Sequence, residues 1–525
     1  MNNVTRWVRS LFLPAVLVPL AVSTLTAGCG EPESSGSGST QATLVDRPPN
    51  IVLILTDDLN EEVFNKNTGL KTLLTDAGTR FRKYYTNVAL CCPSRVATLR
   101  GQLAHNSGIF TNGAPDGGFA KFHGDGLESS TVATWLRSSG YKTALIGKYM
   151  NGYPLTSARH YVPPGWTEWY APNGGTPYAQ FNYSLNENGT TVSYGSDDAD
   201  YFTDVISRKT VGFINRTVNA NPSQPFFIYV APTIPHGPAT PPTRYSSYYP
   251  NAQAPRTPSF NEADVSDKPA WVRATPQLTA AQKTNLDELY RKRRASLHAV
   301  EDLVRNVIDA LAAKGQLDNT YIFFTSDNGF HQGQHRLASG KNTAYEEDVN
   351  VPLVVRGPGV PAGQLVDKLA ANIDLAPTFA ALAGVTPPGF VDGRSLVPFL
   401  NGATPPAWRL AFVLEHGGPS LTPATDDGLL EPQDDFDVQA LATGGTPVFV
   451  GIRTIVTPDP ALSRLTYIEY DTGERELYDN STDPDQLTNS FAGAPAAIKV
   501  RLSSWVGSLR HASGNALRTA EEALP

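Results

Sequence analysis

Four short apolar runs, each ending in residues that carry charge or coordinate cations, constrain this chain more than any other feature. Residues 51–55 end in Thr56-Asp57-Asp58, and residues 143–146 end in Gly147-Lys148. Residues 226–230 lead through Ala231-Pro232-Thr233-Ile234-Pro235 to His236, and residues 321–324 end in Thr325-Ser326-Asp327-Asn328-Gly329. A strand that is apolar along its whole length is buried on both faces, the pattern of a mainly parallel sheet covered by helices. Open α/β sheets hold ligands outside the carboxyl ends of their strands. The predicted fold is therefore α/β, with Asp, Lys, His and Asp-Asn delivered to one sheet edge.

The helical signals between these strands are regular. Residues 129–139 bring Val132, Trp135 and Leu136 onto one face before Gly140 stops the helix. The longest pattern, residues 285–314, repeats Leu286, Leu289, Leu297, Val300, Val304, Val307 and Leu311 ahead of Gly315. Its basic run Arg291-Lys292-Arg293-Arg294 reads as a solvated face. Asp374 reads as the N-cap of a short helix ending at Gly384. Residues 161–282 are rich in Pro, Tyr and Gly and carry a hairpin turn at Asn186-Glu187-Asn188-Gly189. Loops beside a strand-edge site are where substrate selection is expected. From about residue 405 strands at 448–456, 465–470 and 476–479, with a helix at 497–509, predict a smaller antiparallel subdomain.

Residues 1–46 do not read as part of the fold. Arg6 and Arg9 precede an uncharged stretch, residues 10–28, which meets Cys29 after small residues, the pattern of an export signal. Pro14 and Pro19 interrupt the stretch and argue against an uncleaved membrane anchor. Thr26-Ala27-Gly28-Cys29 resembles a bacterial lipobox, which implies cleavage before Cys29, lipid on its thiol and an exported, membrane-tethered cell-envelope lipoprotein. The expected organisation is a signal peptide over 1–28, a Ser/Gly-rich flexible tether over 29–46, a main domain over 47–404 and a subdomain over 405–525. Of three cysteines, only adjacent Cys91 and Cys92 then remain, so no long-range disulfide can form. A thiol pair kept in an exported protein suggests chemistry rather than stapling. The net charge of −8, with no Lys/Arg stripe, argues against a nucleic-acid partner.

The pair opens the run Cys91-Cys92-Pro93-Ser94-Arg95-Val96-Ala97-Thr98-Leu99-Arg100-Gly101. Proline suits the first residue of a helix, where no amide partner is needed. A helix over 93–100 would put Cys91 just ahead of its N-terminus, where free amides and the dipole favour negative charge. Arg95, one turn in, suits forked recognition of a tetrahedral oxyanion. Asp57, Asp58, Asp327 and Asn328 are all oxygen donors, and such a set suits a hard cation, calcium or magnesium.

This run resembles the signature of the type I sulfatases, Cys-x-Pro-Ser-Arg followed by Leu-x-Gly. Ser326-Asp327-Asn328-Gly329-Phe330-His331, Gly333-Gln334-His335-Arg336-Leu337, Gly340-Lys341, Asp392-Gly393-Arg394-Ser395-Leu396 and Glu476-Leu477-Tyr478-Asp479 are similar to that family as well. The Cys91-Cys92 doublet and Gly147-Lys148-Tyr149-Met150-Asn151 look most like its N-acetylglucosamine-6-sulfatase branch. The resemblance implies an alkaline-phosphatase-like fold and oxidation of Cys91 to formylglycine by a formylglycine-generating enzyme. It implies a metal site of Asp57, Asp58, Asp327, Asn328 and the hydrated residue 91, with Ca²⁺ the ion favoured by family and Mg²⁺ the alternative. Lys148, Lys341 and His236 would neutralise a sulfate ester, Arg95 would help hold the hydrate, Asp327 would take its proton, and His236 or Lys341 would assist the leaving alkoxide. His331 and His335 read as supporting or structural. Many sulfatases carry His two residues after the lysine matching Lys148; here Met150 stands there, with His105 a candidate substitute. The expected substrate is a sulfated sugar or aryl sulfate. Two other readings stay open: a phosphodiesterase or phosphonate monoester hydrolase on the same scaffold, and a catalytically dead lipoprotein that binds sulfated glycans.

Overall fold

The computed structural model describes residues 47–417 and 445–525. The predicted signal, lipobox and tether lie outside the described residues. Ten strands form the central sheet: β1 (Asn50–Thr56), β2 (Thr79–Phe81), β3 (Lys142–Gly147), β4 (Glu168–Gly175), β5 (Tyr183–Glu187), β6 (Thr190–Tyr194), β7 (Phe226–Ala231), β8 (Thr320–Ser326), β9 (Leu353–Arg356) and β10 (Gln364–Val366). Their order is β10-β2-β9-β8-β1-β7-β3-β4-β5-β6. The middle, from β8 to β4, is parallel, and antiparallel pairings flank it on both sides. All four strands expected from the apolar runs are present.

Alternation decides which helix each strand residue meets. Ile51, Leu53 and Leu55 pack on one face with Val96, Val132, Leu136 and Phe379. These come from α1 (Cys91–Arg100), α2 (Val132–Ser138) and a later short helix. Val52 and Ile54 face the other way, onto Phe213 and Ile214 of α3 (Phe202–Ala220) and Val300, Val304 and Val307 of α4 (Ala280–Ala313). Helix α3 lies inside the stretch expected to be mainly loops. Its core residues Phe202, Val205, Ile206, Phe213 and Ile214 keep helical spacing, but Thr, Arg, Lys and Asn between them dilute the signal.

The C-terminal part forms a four-stranded antiparallel sheet in sequential order, β11 (Ala411–His416), β12 (Phe449–Thr454), β13 (Leu465–Tyr470) and β14 (Arg475–Asp479). Leu502, Trp505, Val506 and Leu509 of the helix Ala496–Leu509 are buried beside it. Among the described residues no helix is long and apolar enough to cross a membrane.

Asp374 takes the expected N-cap position of the helix Leu375–Leu382, but its side chain makes no capping bond to that helix. It closes a 3-10 turn, accepting from the Ala371 amide at 2.8 Å, and receives both Nη atoms of Arg409 at 2.6 and 2.8 Å. Arg409 also meets Glu521 at 3.2 Å, and all three side chains are buried. Removing one partner from such a group leaves uncompensated charge. Arg409→Met is expected to lower unfolding free energy by about 3–5 kcal/mol in a denaturant titration; an unchanged midpoint would refute the role assigned to this triad.

His416, at the end of β11, is buried, and burial pushes its imidazole down to about 4. The unfolded chain therefore binds a proton that the folded chain refuses between that value and the ordinary value near 6.5. Stability is full above that window and falls as pH drops through it, by about 1.4 kcal/mol per unit. His416→Phe should flatten this limb of the Tm-against-pH curve. An identical curve would show that another group sets the acid sensitivity.

Candidate active site

Strand register builds the site. Thr56 of β1 pairs with Ser326 of β8, so the residues that follow emerge side by side, and the Asp327 amide donates to the Thr56 carbonyl at 3.1 Å. Gly147 of β3 pairs with Ala231 of β7 in the same way, and the Lys148 amide donates to the Ala231 carbonyl at 2.8 Å. Gly147 has φ +119°, and a Cβ there would lie 2.1 Å from the Ala231 oxygen. Only glycine permits this approach.

Helix α1 begins at Cys91, two residues earlier than expected. Cys91 is thus its first residue, and Pro93 occupies the first turn, where an intrahelical amide bond is still not required. The Cys91 Sγ lies 3.4 Å from Asp57 Oδ1 and 3.3 Å from Lys341 Nζ, fully buried. Lys148 Nζ sits 2.8 Å from Asp57 Oδ2. Lys341 Nζ lies 2.8 and 3.1 Å from the two oxygens of Asp58. Burial works against ionisation of Asp57, but Lys148, Arg95 and His236 outweigh it and hold its carboxyl below the usual range. His236 donates Nδ1–H to the Gly237 carbonyl at 2.9 Å, which leaves Nε2 facing Asp58 Oδ2 at 3.6 Å.

The Arg95 guanidinium grips a carboxylate instead of presenting an open fork. Its Nε and Nη2 reach Asp327 Oδ2 at 2.9 and 2.8 Å, and Nη1 donates to the Lys148 carbonyl at 3.0 Å. The other Asp327 oxygen accepts from the amides of Asp58 and Asn328 at 3.1 and 2.8 Å. Burial and the Asp57 charge push the Asp327 carboxyl up, against the pull of Arg95.

The donor chemistry fits a hard divalent cation. Ligand atoms of Asp57, Asp58, Cys91 and His236 all lie within 4.8 Å of one another. Asn328 turns its Nδ2 to Asp58 Oδ1 at 2.6 Å, and its Oδ1 is buried with no hydrogen-bond partner, an oxygen placed as a cation ligand would be. Of the expected set, Asp57, Asp58 and Cys91 converge on one point, with His236 added, while Asp327 turns to Arg95 and Asn328 meets the group through Asp58.

Two readings need correction. His105 is not at the site: its ring nitrogens lie 2.8 Å from Glu415 Oε1 and 3.0 Å from the Ala512 carbonyl, which ties α1's neighbourhood to the C-terminal part. It cannot stand in for the histidine replaced by Met150, which lines a slit with Lys148, Tyr153 and Tyr178. Arg293 is not on a solvated face but fully buried, donating to the carbonyls of Asp58 and Pro235 at 2.7 and 3.3 Å and to Asn60 Oδ1 at 3.1 Å. It pins the turns after β1 and β7, and its place on the apolar stripe of the helix, in phase with Leu286, Leu297 and Val300, separates it from its three basic neighbours. Tyr178 was not foreseen either: its ring lies 4.9 Å from that of His236 and 5.2 Å from Lys148 Nζ. His331, on Asp348 at 3.0 Å, and His335, on Glu262 at 2.7 Å and stacked 4.0 Å from Tyr345, are supports behind the site.

Known proteins show the same organisation. The sulfatase family profile matches residues 49–385. Over 493 residues the chain is 35% identical to the N-acetylglucosamine-6-sulfatase of Homo sapiens, covering 90% of this chain and 86% of that one. It is 38% identical over 379 residues to the extracellular sulfatase SULF-1 homolog of Drosophila melanogaster, a match over 71% of this chain that spans a third, 33%, of the longer relative. The solved structure of BT4656 with its substrate D-glucosamine-2-N,6-O-disulfate superposes with a TM-score of 0.69 at 22% identity, covering 88% of this chain and 97% of that one. The fold is the expected alkaline-phosphatase-like one, a large mixed sheet between helices with a small antiparallel sheet after it. A profile that spans every strand feeding the site, and a relative matched over nine-tenths of the chain, show that this protein belongs to the sulfatase family of sulfuric ester hydrolases.

Proposed function

We propose that the chain hydrolyses sulfate esters of sugars, with 6-O-sulfated glucosamine residues as its preferred substrates. The observation that carries this reading is the position of Cys91, buried between Asp57 and Lys341 where all four site-forming strands end. The length of the match to an N-acetylglucosamine-6-sulfatase supports the choice of sugar. The relatives matched in sequence are sulfatases, which disfavours phosphodiester or phosphonate hydrolysis.

Sulfate esters resist attack because negative oxygens surround the sulfur. Asp57, Asp58, Asn328 and residue 91 would hold a divalent cation, calcium by family and magnesium as the alternative, which supplies charge neutralisation at the ester oxygens. Formylglycine at position 91, made by a formylglycine-generating enzyme, supplies as its hydrate one hydroxyl to attack and a second through which sulfate can leave. The chain's own groups do the rest. Lys148 and Lys341 bring two ammonium charges to the oxygens on which charge builds. Arg95 holds Asp327 in place, and the Asp327 carboxylate receives the proton from residue 91. His236, with Nδ1–H held by the Gly237 carbonyl, would give the proton on Nε2 of its doubly protonated ring to the leaving alkoxide. The pattern ahead of Cys29 supports export and tethering of the enzyme through a lipid on that residue.

Rates on 6-O-sulfated N-acetylglucosamine, its 4-O- and 3-O-sulfated isomers, and a matched aryl sulfate and phosphodiester test the reading. The 6-sulfate should lead. Preference for the phosphodiester would overturn the reaction class, and preference for another isomer the sugar assignment. Lys341→Ala should reduce kcat by about 10²–10³ on the preferred ester and lower Tm as well, because Asp58 is left buried without its ammonium partner; a loss confined to KM would remove Lys341 from charge stabilisation.

A further inference from the structure

Away from the strand-edge site, a cleft of 250 Å³ opens where the β2–β10 edge of the central sheet meets the C-terminal sheet. Four cations line it: Arg82, Lys83, Arg453 and Arg464. Two are already paired. Arg82 forms a two-pronged pair with Asp367 on the rim. Arg453, buried in β12, donates from Nε to Glu346 Oε1 at 2.6 Å and from Nη1 to the carbonyls of Thr454 and Leu465 at 2.9 and 3.3 Å. Glu346 also accepts from Tyr85 Oη and Asn480 Nδ2. This wall is neutral and held by several bonds.

Lys83 and Arg464 differ. Neither forms an ion pair among the described residues; Arg464 is exposed and Lys83 half-buried. Burial would raise the Glu346 carboxyl, yet Arg453 and Lys83 outweigh it and hold it below its usual range, so the Lys83 charge is felt inside the cleft. In a chain of net charge −8, two cations without ion pairs on one concave surface make a local positive field that low-dielectric walls focus. Beside them Ile455 and the 56%-exposed Val456 offer an apolar surface. The volume is below the ~300 Å³ at which pockets for drug-sized ligands begin. It suits one anionic group with the C–H face of a sugar ring.

We propose that this cleft is an accessory oxyanion site that holds a second sulfate or carboxylate of a polyanionic saccharide, away from the ester being hydrolysed. The inference rests on the reading of the chain as a glycan sulfatase. Guanidinium and ammonium groups stay charged across neutral pH, so binding there should depend on salt and little on pH between 6 and 8.

The test uses the full, matured chain and a size-defined 6-O-sulfated hexasaccharide, with equilibrium affinity measured against salt. Lys83→Ala/Arg464→Ala should weaken binding about tenfold at low salt and reduce the salt dependence, with kcat/KM on a small aryl sulfate and Tm unchanged. Lys83→Arg alone should bind as the parent does. Unaltered hexasaccharide affinity in the double variant would overturn the proposal. So would an equal loss in Lys66→Ala/Arg510→Ala, two exposed cations outside the cleft, or polyphosphate binding as tightly as the hexasaccharide. If the chain hydrolyses no sulfate ester, the catalytic reading fails while the affinity comparison still decides whether the cleft binds the saccharide.

Discussion

The buried pairing of Asp57, Asp58 and Asp327 with Lys148, Lys341 and Arg95 is the interaction on which the rest of this structure depends. All six side chains are at or near full burial. Charges in such a place are tolerable only when each has a partner and its remaining hydrogen-bonding capacity is used. Here the partners arrive from the ends of β1, β3 and β8, from helix α1 and, with Lys341, from the segment after Ser339–Gly340. The sheet register is therefore fixed by electrostatics at its edge as well as by packing in its middle. A one-residue slip of β1 against β8 would move an Asp away from its cation and invert the alternation that separates the two helix layers.

The same balance prepares the site for its chemistry. With three carboxylates facing three permanent cations, the cluster is close to neutral, and a bound divalent cation tips it positive before an anionic ester arrives. Lys148 and Lys341 now lie on the carboxylates expected to face that cation, so their charges are already aimed at the point where oxygens must be neutralised. The scaffold behind them is organised for stillness. Arg293 fastens the turns after β1 and β7 from the long helix, Arg95 clamps Asp327, and the Arg409–Asp374–Glu521 group joins the C-terminal helix to the short helix packed beside α1. Preorganised charge is effective because it does not have to rearrange when the transition state forms.

Much of this was legible in the sequence because strand burial and chemistry coincide there. Runs such as 51–55 and 321–324 are apolar throughout, so the polar residues after them mark the strand ends and hence the site. Cys91, Asp57, Asp58, Asp327, Lys148, His236 and Lys341 were found this way or through the family resemblance. What escaped has physical reasons. Arg293 shares a basic run with residues that reach solvent, and its phase with Leu286, Leu297 and Val300 was the signal that marks it as buried. Helix α3 is amphipathic but interrupted by polar residues. His105 looked available because its partners, Glu415 and Ala512, are more than three hundred residues away in sequence.

Residue 91 itself is the centre of the account, and its chemical state can be weighed directly. The measurement is the mass of the tryptic peptide 84–95 from active protein made in a host with the maturation machinery. The account predicts an aldehyde or its hydrate in place of the Cys91 thiol, with Cys92 intact and the modified fraction proportional to specific activity. Full activity in protein whose peptide carries two unmodified thiols would contradict it.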